Sequence, residues 1–464
     1  MTPDFRKTIP QSLPPVQFNV PGFHKTALDN GLKIVVIPDN RLPLISYRLA
    51  FNWGDINDPE GLTGASSAVA SMLNEGTFEY SSRQLADHIE RLGASISVSA
   101  SDDFTILAAS TLSLYSSEIL RLAAEMVLRP TFPEDELDLY RRNTVEHLKF
   151  QRSQPGFLAN EQAARLVYGN HPYSLVSPSA QDIDKLTREG LQQVHALAMI
   201  PNNATFIVVG DVDREGIVRE IEDLFGGWPA GEFKAPVFPG FPERKHRTLT
   251  VVDRPGSAQS NIVLANRAID RNNPDYFPMI VMNQVLGAGA SSRVFMNLRE
   301  EKGYTYGAYT RLDAKRQGGN FEATAEVRTA VTGDSLKEFF YELDRIRDED
   351  VPQEELDDAK NFLTGVFPIR AETQEGLTNL IVNQLLFDLP DDYLQTYRSK
   401  VEAIGAKDVR RVAGKYVLPS EMAIVVVGDA KEIVLQAGKY AEAVEIFDTE
   451  GNPIASLDQD AAAN

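Results

Sequence analysis

The sequence predicts an α+β protein built from two tandem homologous halves, each an antiparallel sheet with packed helices. Three observations carry that expectation. The first is a repeat. PNNATFIVVGDVD (201–213) and PSEMAIVVVGDAK (419–431) share an apolar run closed by Val-Val-Gly-Asp, and their glycines, Gly210 and Gly428, stand 218 positions apart. The second is the break between them: GGWPAGEFKAPVFPGFPERKH (226–246) carries four prolines and four glycines, and no helical or strand period survives it. The third is strand grouping. ASISVSASDDFTILAAST (94–111) reads as a hairpin or meander, so the strands do not alternate strictly with helices as a doubly wound parallel sheet requires.

Taken in order, residues 1–22 form an arm, extended because Pro3, Pro10, Pro14, Pro15 and Pro21 punctuate it. The first half, 23–228, opens with the strand pattern LDNGLKIVVIPDN (28–40). GLTGASSAVASMLNEGT (61–77) follows as an amphipathic helix, with Leu62, Ala65, Val69, Met72 and Leu73 at helical spacing. Its other face offers only Ser67, Ala70, Ser71 and Asn74, side chains that are small and uncharged. SSRQLADHIERLG and SSEILRLAAEMVLR continue the helical content. After the linker, placed at 229–246, the second half (247–455) opens with KHRTLTVVDRPGS (245–257), at nearly the same offset from its closing strand as in the first half. VEIFDTEGNPI (444–454) reads as a hairpin and 456–464 as a loose tail.

Composition narrows the chemistry. The 464 residues are 43% hydrophobic and 24% charged, ordinary for a globular chain with ample core. No apolar run approaches the ~18 residues of a membrane-spanning helix, so no membrane insertion is expected. The first residues lack the charged-then-apolar pattern of a secretory leader; two compartments fit, the cytoplasm, or the periplasm if a leader has been removed. With no cysteine, thiolate nucleophiles, thiolate metal sites and disulfides are excluded. The net charge of −20 argues against a nucleic-acid surface, which needs clustered Lys and Arg.

Few motifs carry chemistry. GAGASS (287–292) follows a helical run and precedes no Lys-Ser/Thr, so it reads as a loop between helices and not as a phosphate cradle. None of the six histidines lies three or four residues from another, so no helix presents a pair of imidazoles. His147, next to Glu146, reads as part of a solvated helix face. The densest signal is SSRVFMNLREEKGYTYGAYTRLD (291–313): a helix carrying Arg299, a stop at Gly303, then a strand through Tyr304 and Tyr306. Arg supplies a fork of N–H donors and Tyr an O–H, a pair suited to a carbonyl or carboxylate; the plain alternative is a surface arginine beside packing aromatics.

Together these stretches resemble the M16 family of zinc metallopeptidases, over essentially the whole chain. The family's metal helix carries H-x-x-E-H, a Met-Leu pair and a Gly-Thr; two His bind zinc and the Glu is general base to the zinc-bound water. Met72-Leu73 and Gly76-Thr77 set the register without gaps. The His positions then fall on Ser67 and Ser71, the general base on Ala70, and the third ligand, a Glu about 76 residues further on, on His147. Serine hydroxyls are poor zinc ligands and alanine takes no proton, so the resemblance implies a degenerate metal site with no metal in this chain.

LREEKGYTYG matches the family's second motif, in which an Arg and a Tyr seven residues later contact the substrate near the scissile bond; the matching residues are Arg299 and Tyr306. Some family members are heterodimers in which one subunit holds zinc and the other supplies this pair. The resemblance implies that this chain is of the second kind. It would complete, in trans and clamshell fashion, the site of an H-x-x-E-H-bearing partner that carries the zinc, acting on peptides or unfolded protein. The alternative is a structural or peptide-binding relative without a proteolytic role.

Overall fold

The computed structural model describes residues 22–234 and 236–454. The expected arm, up to residue 21, and the tail beyond 454 lie outside the described residues.

Two six-stranded sheets carry the fold. The first contains β1 (His24–Ala27), β2 (Lys33–Pro38), β3 (Leu44–Phe51), β4 (Ser95–Ala100), β5 (Thr105–Leu112) and β6 (Ala204–Gly210), in spatial order β1-β2-β6-β3-β5-β4. The second contains β7 (Thr248–Asp253), β8 (Gln259–Ala268), β9 (Thr305–Ala314), β10 (Gly319–Arg328), β11 (Ala423–Gly428) and β12 (Ala443–Phe447), in order β12-β7-β11-β8-β10-β9. Five strands correspond one to one. In each half the repeated Val-Val-Gly run (β6, β11) lies parallel to the opening strand and antiparallel to the next. The sixth strand breaks the symmetry: β1 pairs antiparallel with β2, whereas β12 pairs parallel with β7. The expected hairpins form at β4–β5 and at 443–454, where Ile454 N–H returns to Ile446 O at 2.8 Å.

The Gly-Asp of the repeat ends a strand and starts a helix. In the first half Asp213 caps the helix Arg214–Phe225, its carboxylate accepting from Gly216 N–H at 2.7 Å; in the second Asp429 itself caps Ala430–Ala437. The strands between read as continuous apolar runs because both faces of each sheet are covered. One face packs on helices of its own half. The other is covered by a helix from the opposite half. Leu377, Ile381, Val382 and Leu386 of the helix Gln374–Leu386 lie on Val35, Ile37, Ile207 and Val209 of the first sheet. Reciprocally, Leu158, Ala163 and Val167 of Pro155–Tyr168 lie on Val263, Val425 and Val427 of the second. Each such Leu, Ile or Val side chain contributes roughly 1.5–3 kcal/mol of burial, so the exchange holds the halves together strongly. The segment 226–246, where described, forms neither helix nor strand.

Candidate functional site

The motif-bearing helix spans Ala65–Met72. Its expected small-residue face is not an open one. Ala70 is 1% exposed, and Ser67 and Ser71 are half-buried. Ser67 Oγ donates to Asp55 at 2.9 Å to Oδ1 and 3.2 Å to Oδ2. One residue earlier, Ser66 Oγ donates to Asp58 Oδ1 at 2.5 Å and accepts from the Trp53 indole at 3.0 Å. Asp58 also takes the Gly64 and Ser66 backbone N–H groups, satisfying donors at the helix N-terminus. A hydroxyl–carboxylate network thus occupies the N-terminal end of this helix.

The third expected position lies on a second helix. His147 is exposed on the helix Glu134–Arg152 and makes no hydrogen bond or ion pair with Ser67 or Ser71. On that helix the charge of Asp55 reaches Tyr140, whose hydroxyl is pushed up to about 12, chiefly by burial. Among the described residues no cluster of three or more His, Cys, Asp or Glu is placed to hold a metal. Two hydroxyls, an alanine and a single imidazole do not fit a catalytic zinc.

Asp55 and Asp58 belong to no motif in the sequence; the available signal is GDINDPEG, three acids (Asp55, Asp58 and Glu60) in the stretch leading into the helix. Burial, reinforced by Asp58 and Asp102 and opposed by the Ser67 hydroxyl, pushes the Asp55 carboxyl up to about 7. The folded chain therefore binds this proton more tightly than the unfolded chain. The resulting cost is absent below the unfolded value of 3.8, grows as pH rises, and is complete above about 7. Asp55→Asn keeps an acceptor for Ser67 and removes the charge. The variant is expected to gain on the order of 2–3 kcal/mol relative to the parent between pH 5 and pH 8.5. Thermal melts of both proteins across that range check this, and parallel pH profiles would rule it out.

The second motif lies on a helix–turn–strand unit. The helix does not continue regularly from 293 to 302. Arg293–Phe295 is one α-turn, and Met296–Glu301 widens into a π-turn, with Lys302 N–H reaching Asn297 O at 3.0 Å. Such insertions recur at functional sites. Asn297 anchors the turn below, its amide donating to Glu342 at 2.9 Å and Glu338 at 3.1 Å. Gly303, at φ +63°, closes the helix, and Tyr304 N–H bonds back to Leu298 O.

β9 then begins with an irregularity. Ala308 pairs with Ala325, but Thr305 pairs with Val327, so β9 holds one residue more than β10 over this stretch. Simple alternation puts Tyr304 and Tyr306 on one face; the bulge at 306–307 re-aims Tyr306, which is 92% exposed while Tyr304 is half-buried. Arg299 lies half-exposed, its guanidinium 2.8 Å from Glu300 Oε1 and 4.9 Å from the centroid of the Phe295 ring. No hydrogen bond joins Arg299 to Tyr306, and none joins either to the Ser67 helix. The pair and the degenerate metal helix belong to different halves.

An α+β chain of two interlocked halves, with a metal-motif helix in one and an Arg–Tyr unit in the other, defines the class of architecture found in clamshell metallopeptidases. The comparisons agree. The family model for insulinase (peptidase family M16) matches residues 34–175, and that for the peptidase M16 inactive domain matches 185–363. The chain belongs to the M16 family. It is 22% identical over 390 residues to the uncharacterized zinc protease YmxG of Bacillus subtilis, an alignment taking in 83% of this chain and 92% of that protein. It is 23% identical over 415 residues to the non-peptidase homolog YmxG of Helicobacter pylori, covering 87% and 94%. In three dimensions it is similar to the crystal structure of a peptidase M16 inactive domain from Pseudomonas fluorescens, with a TM-score of 0.83, 27% identity, and coverage of 88% and 98%.

Proposed function

We propose that this chain is the zinc-motif-lacking subunit of a two-chain M16 metalloendopeptidase, lending Arg299 and Tyr306 to a partner that carries an intact H-x-x-E-H. The observation that carries this reading is the contrast between the two sites. Ser67, Ala70 and Ser71 leave no ligand and no base, while the Arg–Tyr unit stands exposed on a π-turn and a bulge. The partner would supply the zinc and the proton acceptor; this chain would hold none. Arg299 would donate its N–H groups, and Tyr306 its O–H, to the oxygen of the scissile carbonyl, where charge builds as the tetrahedral intermediate forms. The Arg299–Glu300 bridge presents little obstacle, since half-exposed pairs are typically worth ~0–1 kcal/mol.

The test mixes this protein with an H-x-x-E-H subunit and follows cleavage of an unstructured peptide. Cleavage by the mixture that far exceeds either subunit alone is expected. A partner that cuts equally well alone would reduce this chain to a scaffold or peptide-binding relative.

A further inference from the structure

We infer that Tyr309 is a specificity-determining residue that favours a peptide with an aromatic or large apolar side chain beside the bond to be cut; the inference rests on the functional reading of Arg299 and Tyr306. Tyr309 lies on the edge strand β9, three residues beyond Tyr306, and is 46% exposed. An exposed tyrosine on an edge strand is ordinarily free to turn. This one has two close neighbours. Its ring lies back along the strand over Gly307, so close that a Cβ on that glycine would fall 2.6 Å from Tyr309 Cε2 and 2.9 Å from its hydroxyl. The ring also meets Phe295, with centroids 5.7 Å apart and planes inclined by 50°. Phe295 in turn underlies the Arg299 guanidinium at 4.9 Å.

Gly307, Tyr309, Phe295 and Arg299 therefore form one contiguous surface, and Tyr306 stands on the same bulge. Phe295 is 5% exposed, so its ring serves as backing and the exposed aromatic surface is that of Tyr309. A peptide whose carbonyl is held by Arg299 brings a neighbouring side chain alongside that face. A fixed ring loses little conformational freedom when a second ring packs on it, and aromatic pairs prefer such offset or tilted contact. The chemistry thus selects Phe, Tyr, Trp or Leu over small residues, by about tenfold.

The test has two arms. In the first, fluorescein-labelled extended peptides differing only in a central Phe or Ala are titrated onto the isolated full chain. The wild type should bind the Phe peptide about tenfold more tightly. Tyr309→Ala should bring the two within about twofold, Tyr309→Phe should keep the preference, and Gly307→Ala, which displaces the ring while leaving the tyrosine in place, should weaken it. No preference in the wild type, no measurable binding, or a preference unchanged in Tyr309→Ala would overturn the inference. In the second arm the same peptides are offered to the mixture with the H-x-x-E-H subunit, and the Phe/Ala ratio of kcat/KM should follow the binding ratio. A mixture that fails to cut either peptide sinks the two-subunit reading, and the binding arm still decides the role of Tyr309.

Discussion

Arg299→Ala in the mixed enzyme is expected to lower kcat/KM for an unstructured peptide by ~100-fold or more, and Tyr306→Phe by a comparable factor, with neither change preventing assembly. The magnitude follows from what each group would do. A donor aimed at an oxygen that becomes an oxyanion is typically worth ~3 kcal/mol in the transition state, more than twofold to tenfold ground-state effects can supply. Both side chains can be changed without disturbing the core: Tyr306 is 92% exposed, and the half-exposed Arg299 guanidinium pairs with Glu300 and lies over Phe295. A loss of activity therefore reports on chemistry and not on folding. The division between constants is informative. A pair that acts only as charge builds lowers kcat along with kcat/KM, whereas a pair that merely grips the peptide raises KM and leaves kcat intact. Glu300→Ala serves as the control, expected to change activity by no more than about twofold, because it releases Arg299 from a weak, half-exposed bridge. Wild-type activity in Arg299→Ala would remove the main support for a catalytic role.

The parts of this molecule visible in its sequence are those that repeat or that need local periodicity only. Gly210 and Gly428 reveal the duplication because each half must end a buried strand and turn into a capped helix. Residues 94–111 show their hairpin because β4 and β5 alternate faces around a polar turn. Three other features depend on distant neighbours. The mutual covering of the sheets by Pro155–Tyr168 and Gln374–Leu386 leaves apolar helices that could equally have packed within their own halves. The orientation of Tyr306 depends on the register of β10, which no reading of β9 alone contains. Ser67 looks idle until the loop carrying Asp55, twelve residues earlier, folds back onto it. Alignment to the family motif locates His147, but its sequence, next to Glu146 on a charged stretch, does not show that its helix packs on the one carrying Ser67 and Ser71.

The largest effect on stability is expected at the repeat glycine. Gly210 adopts φ +144°, and a Cβ built on it would lie 2.2 Å from Leu44 O, 2.3 Å from Gln374 Nε2 and 2.8 Å from Ile45 Cα. Two of those atoms are backbone of β3, whose Ile45 is paired with Gly210 and whose Leu44 O accepts Asp211 N–H at 2.9 Å. They cannot move without opening the sheet. The third belongs to the helix that closes the first sheet from the opposite half: Gln374, 8% exposed, donates to Val209 O at 2.6 Å and Leu44 O at 3.0 Å. Gly210→Ala must therefore strain the backbone and also eject a buried amide from its acceptors. Strain at a glycine-favoured conformation costs about 1–3 kcal/mol and an unsatisfied buried polar group a similar amount, so a loss on the order of 4 kcal/mol is expected. A methyl added at Gly365 gives the opposite sign. That glycine is exposed within the helix Gln353–Glu372 and a Cβ there meets nothing within 4 Å, so Gly365→Ala should stabilise by about 0.5–1 kcal/mol. Denaturant midpoints separate the two. Because Gln374 bridges the halves, Gly210→Ala should also speed proteolytic cutting within 226–246, which lies between the halves and, among its described residues, has neither helix nor strand. Loss of stability without faster cutting there would place the damage inside the first sheet and deny Gln374 its part in holding the halves together.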